Sequence, residues 1–232
     1  ELAIDHTVYT VDLLGCGRSD KSSITYTNFV YVQMISDFIK KIIGQKTDVI
    51  ASGFSGSFVT MACHNEKELF NKIMLVNPPS LTQLKQMPNR KDRLLKAALE
   101  IPIFGTLVYH MIVSRDNINN LFIEKMYYNP FHVDNQMADA YYEAAHKGGY
   151  YTRFLYSSLA AKYININICH ALKALDNSIY IVEGETEPNG KAVTDDYCAS
   201  NPAIEVSVLK ETKHLPHVEA PEAFLEQVKI FF

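Results

Sequence analysis

Residues 47–62 read TDVIASGFSGSFVTMA. A short apolar run, DVIAS, stops at Gly53, and the pattern after it turns helical, so the stretch reads as a buried strand handing over to a helix through a tight turn. The turn carries one hydroxyl, Ser55, between Gly53-Phe54 and Gly56-Ser57. A strand–turn–helix junction of this kind points a side chain away from the backbone, while the helix start beside it offers free N–H groups and the positive end of its dipole. Residues two before and two after such a hydroxyl must be small because the chain doubles back, and Gly53 and Ser57 meet that demand.

Working outward, short β-rich runs alternate with helical periodicity in the first third and last quarter of the chain. The strand candidates are TVYTVDL (7–13), DVIAS (48–52), KIMLVN (72–77), SIYIVEG (178–184) and IEVSVLK (204–210), each apolar and followed by turn residues. Runs like these suit buried parallel strands. TNFVYVQMISDFIKKII (27–43) predicts an amphipathic helix with Val30, Met34, Ile35, Phe38 and Ile42 on one stripe, closed by Gly44. APEAFLEQVKIFF predicts a last helix starting near Pro221, with Phe224, Leu225 and Val228 inward. The alternation gives an α/β fold: a doubly wound, mostly parallel sheet.

Residues 79–170 break that rhythm with helical patterns such as RKDRLLKAALE and QMADAYYEAAHK. The expected organisation is a core sheet domain over 1–78, a helical cap over 79–170, and the rest of the core over 171–232. Nine of the fourteen tyrosines fall in the middle segment, which would give the underside of a cap broad apolar faces with polar tips.

Composition narrows the function classes. A formal charge of −4 with no basic stripe argues against a nucleic-acid partner. The longest apolar stretch, IPIFGTLVYHMIV (101–113), falls short of the roughly 20 residues of a membrane span and reads as a buried or cleft-lining helix. Cys16, Cys63, Cys169 and Cys198 show neither disulfide-framework nor zinc spacing, and a reducing, cytoplasmic compartment is the expectation. The histidines at 6, 64, 110, 132, 146 and 170 show no metal-ligand spacing. GCGRSD follows a predicted strand but lacks the third glycine of a dinucleotide fingerprint. Gly15 and Gly17 therefore read as turn glycines, Arg18 and Ser19 as structural, and no cofactor is expected.

A serine needs an imidazole to take its proton and a carboxylate to orient that imidazole. After SIYIVEG comes ETEPNG, with Glu187 before Pro188; after IEVSVLK comes ETKHLPHVEAPEAF, with His214 ahead of the last helix. Each group follows a predicted strand, where side chains gather at the carboxyl edge of an α/β sheet.

Four stretches together resemble the α/β-hydrolase superfamily, in particular capped members related to esterases and carbon–carbon bond hydrolases: VDLLGCGRSD (11–20), GFSGS (53–57), GETEP (184–188) and HLPHVEAPEAF (214–224). The resemblance implies Ser55 as nucleophile, His214 as general base, Glu187 as acid and the Gly56 N–H as one oxyanion donor. Glu185 and Glu183 stand as alternative acids, and the family spacing to Glu219 favours His214 over His217. It further implies a hydrolase of small esters, thioesters or related acyl compounds, with an apolar acyl or aryl group suited to the aromatic cap. The family's second oxyanion donor, in an H-G-x segment, has no counterpart here, and the resemblance implies that the first strands precede Glu1. A ligand receptor keeping the same fold is the alternative reading.

Overall fold

The structure is a computed structural model and describes residues 1–133 and 135–232. Four strands, β1 (Thr47–Ser52), β2 (Phe70–Val76), β3 (Ile179–Gly184) and β4 (Glu205–Leu209), form one sheet in the order β1-β2-β3-β4, all neighbours parallel. The register aligns Ser52 with Val76, Val76 with Val182 and Val182 with Ser207, so the carboxyl ends of the strands lie side by side.

Side chains alternate between two cores, as the period of a strand requires. Ile73, Leu75, Ile179 and Ile181 enter the larger core, whereas Met74, Tyr180 and Val182 enter a smaller one on the other face. The larger core is covered by α1 (Asn28–Phe38) and α2 (Phe54–Asn65). Only β2 and β3 are buried on both faces; the outer strands expose Ile50, Val206 and Val208, as edge strands do.

Residues 7–13 differ from expectation. They form no strand, and Val8, Tyr9 and Val11 are exposed. A strand needs a neighbour to satisfy its N–H and C=O groups, and among the described residues β1 is bonded to a strand on its β2 side alone. The segment that follows is tightly organised nonetheless. Gly15 (φ 86°) and Gly17 (φ 46°) turn the backbone, Asp12 Oδ2 accepts from the Arg18 N–H at 2.8 Å, and the Asp12 carbonyl accepts from the Ser19 hydroxyl at 2.6 Å.

Helix α1 also sits rotated from the expected stripe: Tyr31, Val32, Ser36 and Ile39 are buried while Ile42 is exposed. The larger aromatic takes the core position, Tyr31 stacking on Phe58 of α2 with ring centroids 4.8 Å apart and donating its hydroxyl to the Leu14 carbonyl at 3.0 Å. Gly44, at φ 72°, ends the helical run.

Between β2 and β3 the regular elements of the described residues are helices, led by α3 (Arg90–Glu100), α4 (Pro102–Ile112), α5 (Arg115–Leu121), α6 (Asn135–His146) and α7 (Arg153–Ala160). Asn89 caps α3 reciprocally with Asp92, and Pro102 opens α4. The α4 helix, expected to be buried or to line a cleft, is not a buried helix: Ile103, Phe104, Leu107 and Met111 face solvent, and only Gly105 and Tyr109 are buried. Among the described residues no single helix is long and apolar enough to cross a membrane. After β3 come α8 (Gly190–Ser200) and, after β4, α9 (Pro221–Phe231), whose Val228 fills the smaller core.

Candidate active site

The site lies where β1, β2 and β3 end. β2 stops at Val76, and the next residue, Asn77, takes a positive φ of 42° ahead of Pro78 and Pro79. Its amide nitrogen donates to the Lys213 carbonyl at 2.8 Å and the His214 carbonyl at 3.0 Å, and its amide oxygen accepts from the Gly184 N–H at 3.0 Å. One buried side chain thus joins the end of the acid-bearing strand to the histidine loop. Gly184 completes the junction, because a Cβ there would lie 1.9 Å from the Lys213 carbonyl oxygen.

Within this frame His214 and Glu187 meet: Nδ1 of the imidazole is 3.1 Å from Oε1 of the carboxylate. The hydrogen bond to Glu187 raises the pKa of His214 above its ordinary 6.5, outweighing burial, which acts in the opposite direction. Glu187 Oε2 is buried without a hydrogen-bond partner. The two other acids are occupied elsewhere. Glu185 accepts from the Glu211 N–H at 3.0 Å, and Glu183 is buried against Gly190, where burial raises its pKa. His217 stays apart from this pair; burial, then the charge of His214, lowers its pKa, and its Nδ1 has no partner.

Glu219 ties the loop to the helical layer, accepting from the Lys213 N–H at 2.8 Å and from the Tyr128 N–H at 2.6 Å. The His214 N–H donates to the Met126 carbonyl at 3.1 Å, and Lys213 Nζ reaches the Glu124 carbonyl at 2.6 Å. Leu215 is buried with Ile118, Phe122, Tyr127 and Ala138. The histidine loop is therefore sandwiched between the sheet and the segment 118–128 with Ala138.

The serine turn makes local bonds. The hydroxyl of Ser55 donates to the Ser52 carbonyl at 2.5 Å and makes no hydrogen bond to His214. The Gly56 N–H donates to the Gly53 carbonyl at 3.1 Å, so the donor assigned to an oxyanion is already engaged. The structure brings Glu187 and His214 together, whereas the Ser55 hydroxyl and the Gly56 N–H bond within their own turn. The reason is one of phase. β1 runs to Ser52 and α2 begins at Phe54, which puts Ser55 within the first turn of the helix.

A strand–turn–helix junction at the carboxyl edge of a parallel sheet, with a carboxylate and a histidine delivered there from the loops after β3 and β4, coincides with a match of residues 1–227 to the alpha/beta hydrolase family. The chain belongs to the alpha/beta hydrolase family. Among solved structures, this alpha/beta hydrolase is similar in fold to a carboxylesterase of the ammonia-oxidizing thaumarchaeon Nitrososphaera gargenis, at 16% identity and TM-score 0.68, covering 95% of this chain and 77% of that one. It is also similar to the 2-hydroxy-6-oxo-6-phenylhexa-2,4-dienoate hydrolase of Rhodococcus sp. strain RHA1 (16% identity, TM-score 0.72, 95% and 78% covered). A third likeness is to a bromoperoxidase from Bacillus anthracis (12% identity, TM-score 0.72, 95% and 79% covered). Among curated proteins none matches the sequence. At these identities the structural likeness speaks to fold, and chemistry has to be argued from the side chains.

Proposed function

We propose that this alpha/beta hydrolase cleaves small esters, thioesters or related acyl compounds, with His214 as general base and Glu187 as the carboxylate that orients it. The observation that carries this reading is the 3.1 Å contact of His214 Nδ1 with Glu187 Oε1 at the carboxyl edge of the sheet. An imidazole held through Nδ1 presents Nε2 for proton transfer, and its raised affinity for a proton suits a base that must take one from a weak acid. The first turn of α2, which follows β1 at the carboxyl edge of the sheet, offers backbone donors, with the Phe54 N–H the first of them. Ile118, Phe122, Tyr127 and Ala138 lie over the histidine loop and belong to the cap whose aromatic faces receive an apolar acyl or aryl group.

The sequence expectation routes acyl transfer through Ser55. That route requires its hydroxyl to leave the Ser52 carbonyl and come within reach of His214. A second reading, a ligand receptor without turnover, draws support from the same detached serine. Steady-state hydrolysis of p-nitrophenyl and thioester substrates by the purified chain separates the two. Turnover lost in His214→Ala and strongly reduced in Glu187→Gln supports the hydrolase. Thermal stabilisation by an acyl ligand, with turnover no greater than that of His214→Ala, supports the receptor.

A further inference from the structure

We infer that the apex of the strand–helix turn is Gly53, not Ser55, and that the nucleophile activated by His214 is a water molecule. The inference rests on the hydrolase reading for its chemistry and on the turn's own geometry for its register.

The chain reverses at a single residue. Ser52 is still paired in register with Val76, Gly53 donates its N–H to the Val76 carbonyl at 2.9 Å, and Phe54 is already helical. Gly53 between them takes φ 57° and ψ −132°, a backbone conformation that side chains other than glycine's adopt only under strain. In a turn built to project a nucleophile, the strained residue is the one whose side chain stands free of the sheet. A Cβ placed on Gly53 meets no heavy atom within 4 Å, whereas one on Gly56 lies 3.1 Å from Leu75 Cδ2. The direction that a nucleophile would take is open, and it belongs to residue 53.

The same position is linked to the histidine loop through the end of β2. Val76 accepts the hydrogen bond of Gly53, and the very next residue, Asn77, donates to the His214 carbonyl at 3.0 Å. The apex and the histidine loop thus hang from consecutive residues of one strand end. Ser55, two residues into α2, spends its hydroxyl on the local carbonyl of Ser52.

With no hydroxyl at the apex, the pair can act on water directly. Nε2 of His214 accepts a proton as the water oxygen bonds to the acyl carbon. The carbonyl electron pair moves to oxygen, opposite the Phe54 N–H. Collapse of the tetrahedral species re-forms the carbonyl and breaks the bond to the alcohol or thiol, which leaves with the proton from the imidazolium. Ester and water become acid and alcohol, and no covalent enzyme intermediate forms.

A fluorophosphonate probe with mass-spectrometric mapping tests the register. The wild-type chain should show no adduct on Ser55. Gly53→Ser should acquire one on residue 53, lost in the double variant Gly53→Ser, His214→Ala. An adduct on wild-type Ser55, or a folded Gly53→Ser without label, overturns the inference. Should Gly53→Ser fail to fold, Ser55→Ala decides: turnover within about threefold of wild type supports the inference, whereas a loss of several orders of magnitude, as expected on removing a serine nucleophile, overturns it. Turnover by the wild type no greater than by His214→Ala defeats the hydrolase reading and the water step with it; a label on residue 53 of Gly53→Ser would still support the register.

Discussion

Asn77 holds His214 by its backbone: the side-chain nitrogen of one lies 3.0 Å from the carbonyl oxygen of the other. The same amide binds the Lys213 carbonyl and the Gly184 N–H, so its planar group sets the spacing between the histidine loop and the strand that leads to Glu187. Asn77 touches no reacting atom in this arrangement and acts as a positioning residue. Asn77→Ala removes three hydrogen bonds and strands three backbone groups. It should destabilise the fold by about 2–3 kcal/mol in chemical denaturation, with kcat falling more than KM rises. Asn77→Asp keeps the acceptor for Gly184 but sets a carboxylate oxygen against the two carbonyls and should cost at least as much as Asn77→Ala; an Asp variant as stable as the wild type would contradict the positioning role.

Gly184 is tested by volume. A methyl group there would sit 1.9 Å from the Lys213 carbonyl oxygen, a backbone atom with no rotamer to escape into. Gly184→Ala should therefore displace the histidine loop and cost about 2–4 kcal/mol. Gly44→Ala is the control: its Cβ meets nothing within 4 Å, and only the positive φ of 72° opposes it. The expected loss is about 1 kcal/mol. Thermal melts of both variants, with Gly44→Ala the more stable, would bear this out.

The pH dependence follows from the raised pKa of His214. On the proposed reading His214 is a base and works when neutral, so turnover should climb along an acid limb centred above 6.5. Glu187→Gln removes the main cause of the upward shift, and the limb should move to lower pH as the rate drops. Stability runs the other way. Because the folded pKa exceeds the unfolded one, the pair's contribution is complete below 6.5 and fades as pH rises through the folded value. Denaturation midpoints of wild type and Glu187→Gln should converge above that point, and parallel curves across the range would contradict the assignment.

Tyr31 offers a check on the loop that precedes α1. Its hydroxyl donates to the Leu14 carbonyl while its ring stacks on Phe58. Tyr31→Phe retains the ring and should cost about 1 kcal/mol; Tyr31→Ala also opens a cavity and should cost about 3–5 kcal/mol. A urea titration of the two variants compares them directly.

The inner strands were legible because β2 and β3 are apolar on both faces, a pattern that few other structures produce. Residues 7–13 carry a similar pattern without forming a strand, since pattern records what a segment could bury and not whether a neighbour stands beside it. The turn shows a different limit. A small residue two before and two after the apex fits Ser55, flanked by Gly53 and Ser57, and fits Gly53 equally, flanked by Ala51 and Ser55. Residue chemistry favours the serine, whereas the end of the ladder and the dihedral angles favour the glycine. Asn77 was missed for want of any catalytic chemistry in its side chain; the only trace in the sequence is an asparagine ahead of two prolines, a turn signal.

The bonds from Met126, Tyr128 and Glu124 to residues 213–219 have a mechanical consequence. The overlying layer grips the very backbone that carries the imidazole, so lifting it to admit a ligand would tug the base out of alignment, and closing would reset it. Admission and readiness to react would then be one motion, and amide exchange at His214 should quicken and slow in step with that at Tyr128.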